Sequence, residues 1–169
     1  MRVSFQRFEA PAGGLIAQAP SSLGALPVGQ TDRDEWLLPL ADGEAFWIGL
    51  NAEPAAELAV RADAQRDGAL DALSGGRWDA SAPQLMRVAA FLVVAGIRRA
   101  DGQLWPFARR PQTDAAPACH AVALVVRNEH HEGTVEVRLV DYAEFSARTG
   151  RPPPAPLDPD AGYKGYLLP

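Results

Sequence analysis

Apolar residues in this chain come in short runs separated by glycine turns, and the longest run lies near the middle. The segment QLMRVAAFLVVAGIRRADGQLWPFAR at 84–109 contains VAAFLVVAGI at 88–97, which is almost free of polar groups. A membrane-spanning helix needs roughly 20 apolar residues, so this run reads as core. Periodicity alone cannot assign it to strand or helix. Ser81, Pro83 and the alanines favour a helix. Val88, Phe91, Val93, Val94 and Ile97 favour a strand, and the Ala-Asp-Gly turn at 100–102 leads on to Leu104, Trp105 and Phe107. The strand reading is preferred, with this run as the central arm of a hairpin.

Three further turns repeat the pattern. Ala-Asp-Gly at 41–43 separates EWLLPL from EAFWIGL, Arg-Asp-Gly at 66–68 separates LAVRADA from ALDAL, and His-Glu-Gly at 131–133 separates AVALVVR from TVEVRLV. Glycine supplies positive φ at little steric cost, and Asp before it tolerates the left-handed region, so each turn predicts a hairpin. Four hairpins give about eight strands. With no helix long enough for a parallel crossover, the expected fold is mainly β: a single-domain antiparallel β-sandwich or barrel. Alternation sharpens the faces, placing Val135, Val137 and Leu139 opposite Glu136 and Arg138, and Leu58, Val60 and Ala62 opposite Arg61 and Asp63. Pro39 lacks a ladder donor and predicts an edge or a bulge.

The β domain is expected over residues 1–150. An edge strand opens it, and a Gly/Pro-rich loop at 9–30 follows, of a length that is often functional or mobile. Asp141 as N-cap, Glu144 at the capping-box position and Gly150 as stop signal predict one short helix over 142–148. Residues 151–169 form a proline-rich tail: RPPPAPLDP must be extended, and Tyr163, Tyr166, Leu167 and Leu168 follow it as a segment suited to docking.

Composition narrows the function classes. The chain has 169 residues, is 47% hydrophobic and 22% charged, and carries a net charge of −5. That acidity speaks against coating nucleic acid, which requires basic side chains to neutralise phosphates. Only the pairs Arg98 with Arg99 and Arg109 with Arg110 offer local basic patches. Among the basic residues only Lys164 is lysine, a bias typical of GC-rich bacterial coding. A single cysteine rules out an internal disulfide framework and a multi-cysteine zinc site. With no basic start followed by an apolar stretch, a secretory signal is not expected and the cytoplasm is the expected compartment.

The candidate chemistry is sparse. Glu129, His130 and His131 in NEHHEG could ligate a metal, but adjacent histidines at a strand end diverge and a site needs three or four convergent ligands. A solvated turn is the plainer reading. Cys119 beside His120 invites a thiolate mechanism, yet neighbours in a strand face opposite ways. Asp79 is a third weak catalytic candidate. Asp158 and Asp160 only loosely match a calcium loop and lack its closing Glu. The tryptophans Trp36, Trp47, Trp78 and Trp105 could stack on a ligand or fill a core; Trp78 and Trp105, with Tyr163 and Tyr166, are the binding candidates. No phosphate loop, Gly-x-Ser-x-Gly elbow or His-Glu-x-x-His motif occurs.

These features predict a non-enzymatic β protein that binds a ligand or a partner subunit. The expected partner is another protein or a second copy of the chain, with a small molecule or carbohydrate as a further ligand class. Nucleic acid, membrane and cofactor are not expected. The alternative is an enzyme whose acid/base, thiol or metal site is assembled from loops.

Overall fold

Strands form where apolar and polar residues alternate, and they gather into sheets whose faces share one core. The computed structural model describes residues 1–129 and 132–161 and the backbone of residues 166–167. In chain order the strands are β1 (Arg2–Glu9), β2 (Gly29–Gln30), β3 (Trp36–Pro39), β4 (Glu44–Asn51), β5 (Ala56–Ala64), β6 (Gly68–Asp71), β7 (Met86–Val88), β8 (Phe91–Val94), β9 (Ile97–Arg98), β10 (Leu104–Trp105), β11 (Cys119–Arg127), β12 (Glu132–Val140) and β13 (Tyr166–Leu167). One helix, α1 (Tyr142–Thr149), lies between β12 and β13. The protein is therefore mainly β.

Four strands make one sheet in the order β13-β1-β4-β8. Seven make another, ordered β2-β3-β12-β11-β5-β6 with β7 also on β5, and β9 and β10 form a separate hairpin. No sheet closes into a barrel among the described strands. Val3, Phe5, Phe46, Ile48 and Leu50 from the smaller sheet join Leu58, Val60, Val122, Leu124 and Val137 from the larger in one core. Phe46 links its parts, edge-on to Phe5 at 5.7 Å and stacked on Phe107 at 5.3 Å. Each such pair adds about 0.5–1.5 kcal/mol beyond the area it buries.

Three turn signals give paired arms: β5 with β6, β9 with β10, and β11 with β12. In the last, Glu132 and Gly133 of the predicted turn are already residues of β12. The signal at 41–43 departs from expectation. Gly43 turns there with φ 83°, but β3 and β4 do not pair: the turn carries the chain from one sheet to the other. β3 instead pairs in parallel with β12, from Trp36 opposite Val137 to Pro39 opposite Val140. The larger sheet is thus mixed, which corrects the wholly antiparallel expectation.

The apolar run at 88–97 is also not one central arm. It breaks at exposed Ala89 and Ala90, leaving β7 on β5 in the larger sheet and β8 on β4 as an edge of the smaller. Phe91 is consequently 54% exposed. A run that must serve two sheets needs small residues where it crosses, and the two alanines supply them. β10 pairs with β9, and its Leu104 also bridges Ile16 of the Gly/Pro-rich loop.

The Gly/Pro-rich loop is docked on the outer face of the smaller sheet. Ile16 and Ala19 pack against Phe8, Ala45, Trp47 and Ala108, Trp47 Nε1 donates to the Pro20 carbonyl at 3.0 Å, and Leu26 enters the main core. Residues 23–26 also cover the free edge of β1, with Leu23 N donating to Arg7 O and Leu26 N to Phe5 O.

Helix α1 has the caps its sequence predicts. The Asp141 carboxylate accepts from Glu144 N at 2.8 Å, and Gly150 closes the helix with φ 67°. Phe145 is its buried anchor, against Leu37 and Val140.

Candidate functional site

A cleft lies where β5 begins and β11 ends. Strand pairing alone builds its floor. Arg87 on β7 is in register with Glu57 on β5, Glu57 with Arg127 on β11, and Arg127 with Glu132 on β12. Cross-strand partners share a face, so four strands lay down one row of alternating charge. Pro54, Ala55 and Ala56 form one wall, Asn128 and Glu129 the other, and the volume is about 600 Å³.

The row is unevenly satisfied. Arg127 is committed to Glu132 at 3.0 Å. Among the described residues, Arg87, Glu57 and Glu129 make no side-chain hydrogen bond or ion pair. A free guanidinium next to free carboxylates can take up a ligand that itself carries both signs of charge. Guanidinium and carboxylate form a two-pronged hydrogen-bonded pair stronger than a neutral one. No protein-family model, curated protein or solved structure matches the chain.

The other candidates lie elsewhere. Cys119 opens β11 with 1% exposure, and burial pushes its thiol up to about 12 from an ordinary 9.0. At neutral pH it is a protonated core side chain. His120 is exposed, at the irregularity where the pairing of β11 with β5 shifts register. Asp79 sits on the surface of the 72–85 loop, where hydrogen bonds from the Ser81 hydroxyl and amide hold its carboxyl below the usual range. The structure thus places Cys119 in the core and His120 and Asp79 at the surface.

Trp78 is half-buried in that same loop, its amide bonded to Ala69 O at 2.9 Å. Trp105 packs on the main core, with the Arg99 guanidinium 4.6 Å from its ring centroid and Arg99 held in turn by Asp101. One face of that ring is thus already covered. Arg109 and Arg110 both reach Asp42, at 2.6 and 3.0 Å, beside a smaller cleft of about 450 Å³ that they share with Arg66 and Asp67. Glu129 lines the larger cleft, whereas His130, His131, Tyr163 and the side chain of Tyr166 lie outside the described residues. Among the described residues no three potential metal ligands converge, and no helix is long and apolar enough to cross a membrane.

The raised thiol has a consequence for stability. Burial, and then hydrogen bonding to Glu44, also pushes the Tyr142 hydroxyl up from its ordinary 10.0. Both groups favour the protonated form in the folded state. Their contribution is complete below the ordinary values and is lost as pH rises through the folded ones. Urea midpoints are therefore expected to fall from about pH 9 toward pH 12, less steeply in Cys119→Ala. Thiol labelling at pH 7 is expected to track global unfolding; labelling at the rate of a free thiol would contradict the burial.

Proposed function

We propose that this protein is a non-enzymatic binding protein, its two larger sheets packed as a sandwich, with the cleft at Glu57, Arg87 and Arg127 as ligand site. The observation that carries the reading is the alternating cross-strand row in which Arg87 and Glu57 remain uncommitted. The ligand class that matches is a small zwitterion, such as an amino acid or the end of a short peptide. Its carboxylate would pair with Arg87 and its ammonium group with Glu57 or Glu129. Among the described residues no aromatic side chain lines the cleft, which makes a stacked sugar a poorer match. Against the enzymatic alternative stand the protonated, buried Cys119 and the solvent exposure of both His120 and Asp79.

The test is a melting-temperature screen against amino acids, dipeptides, dicarboxylates and simple sugars, followed by calorimetry on any compound that stabilises. A ligand at 100 times its Kd adds about 2.7 kcal/mol to stability. Arg87→Ala is expected to weaken a zwitterion by roughly 10- to 100-fold, as loss of a hydrogen bond to a charged group does, while the unliganded protein melts almost unchanged because Arg87 is exposed. Stabilisation by sugars alone, or an affinity indifferent to Arg87→Ala, would count against this cleft.

A further inference from the structure

The proline-rich segment after α1 is not a free tail. Arg7, on β1, is 3% exposed although it is a cation, and the segment contributes to its cover. Its Nη2 donates to two successive carbonyls of the proline run, Ala155 O and Pro156 O, the latter at 2.9 Å. Its Nη1 faces Tyr142 Oη at 2.9 Å and Glu44 at 3.4 Å. On either side, Arg151 Nη1 donates to Val28 O at 2.9 Å and Asp158 N to Leu23 O at 3.0 Å. Beyond the described turn, β13 pairs with β1 at Arg2 and Val3.

These contacts define a recognition groove. A guanidinium held from behind by a carboxylate and a phenol presents its remaining donors to consecutive main-chain carbonyls. Such carbonyls are unpaired in a polyproline segment, which has no internal hydrogen bonds. The segment is lightly held by apolar contact: Pro154 and Leu157 are half-buried, while Pro152, Pro153, Ala155, Pro156, Pro159 and Asp160 are exposed. The caps of α1, Asp141 and Gly150, lie outside it, so its release leaves the helix intact.

We infer that this groove is an interaction surface for residues 151–161, filled by the chain's own segment and open to the same segment of a second copy. A second copy is favoured over a foreign partner because it brings every matched contact in register, including the Asp158 amide and the Arg151 side chain. The chain's own segment competes at the high effective concentration of a short tether. Exchange therefore becomes visible once that segment is weakened. This surface is separate from the charged cleft, and neither reading depends on the other.

The test uses full-length protein and a fluorescent peptide, RPPPAPLDPDA, corresponding to residues 151–161. A full-length Pro154→Gly/Leu157→Gly variant, altered only in the segment, is expected to bind the peptide saturably and at least about tenfold more tightly than the unaltered chain, since its own competitor is impaired. A full-length Arg7→Lys chain, whose own groove is weakened and whose segment is intact, is expected to displace the peptide, showing that its segment reaches the groove of another molecule. Adding Arg7→Lys, which keeps the buried charge but loses the paired donors, is expected to weaken the peptide again. No saturable binding to a variant whose circular dichroism and melting remain native overturns the proposal. So does failure of the Arg7→Lys chain to compete, or equal binding of an unrelated proline decamer.

Discussion

Asp71→Ala is expected to lower unfolding free energy by about 3–5 kcal/mol, because three part-buried backbone donors lose the one buried carboxylate that accepts from all of them. Asp71 ends β6 at 3% exposure. Its Oδ1 accepts from Leu73 N at 2.9 Å and Ser74 N at 3.0 Å, and its Oδ2 from Gln84 N at 3.0 Å. Its own amide and carbonyl bond Gly76 O and Gly75 N, at 2.9 and 2.7 Å. The loop from 72 to 84 is thus wrapped around one carboxylate. Asp71→Asn keeps the shape but turns an amide NH2 toward one of the donors, and about 2 kcal/mol is expected from that mismatch. Urea unfolding followed by tryptophan fluorescence measures both. A loss below 1 kcal/mol for the alanine variant would mean that water replaces the carboxylate and that the loop is organised by something else.

In the sequence Asp71 is one acid among many, and the reason is physical. A charged side chain on an alternating strand reads as solvent-facing, and only a returning segment makes it a buried hub. The same distinction runs through the fold. Hairpins at Arg66-Asp67-Gly68 and Asp101-Gly102 and the caps of α1 are local, decided by residues within a few positions, and they are legible. The Ala41-Asp42-Gly43 turn is equally local as a turn, but whether its arms pair is not. β3 finds β12 about a hundred residues away, and nothing near Trp36 encodes that choice.

The cleft shows the limit most clearly. Alternation places Glu57 and Arg127 on outward faces, yet their juxtaposition depends on register, and a slip of one residue would turn every side chain over. Glu129 is singled out in the sequence for metal chemistry with its histidine neighbours, but it lines a cleft whose other charges come from three separate strands. Arg87 immediately precedes the apolar run that reads as core. Its role emerges only because the run breaks at Ala89 and leaves β7 on β5.

Arg7→Met is expected to be at least as damaging as Asp71→Ala, about 3–5 kcal/mol, since it strands a buried carboxylate. Glu44 is 8% exposed, accepts from Tyr142 Oη at 2.6 and 2.8 Å, and also accepts from Ala41 N at 3.1 Å, where it ties down the turn between the sheets. Those neutral donors remain without Arg7 but cannot offset its charge. Glu44→Gln is expected to cost less, because the guanidinium keeps Tyr142 and the carbonyls of Ala155 and Pro156 as acceptors. The double variant Arg7→Met/Glu44→Gln is expected to fall short of the summed losses by about 1–3 kcal/mol, the coupling of residues in one network. Additive losses would show instead that each residue acts through separate contacts. Hydrogen exchange separates the two roles of Arg7: if it holds the proline segment as well as Glu44, the Asp158 amide exchanges faster in Arg7→Met but not in Glu44→Gln, although both variants lose stability. Core amides of β4 and β11 report the global loss in each variant, and loss of the carbonyl contacts is read as the extra acceleration of the Asp158 amide beyond theirs.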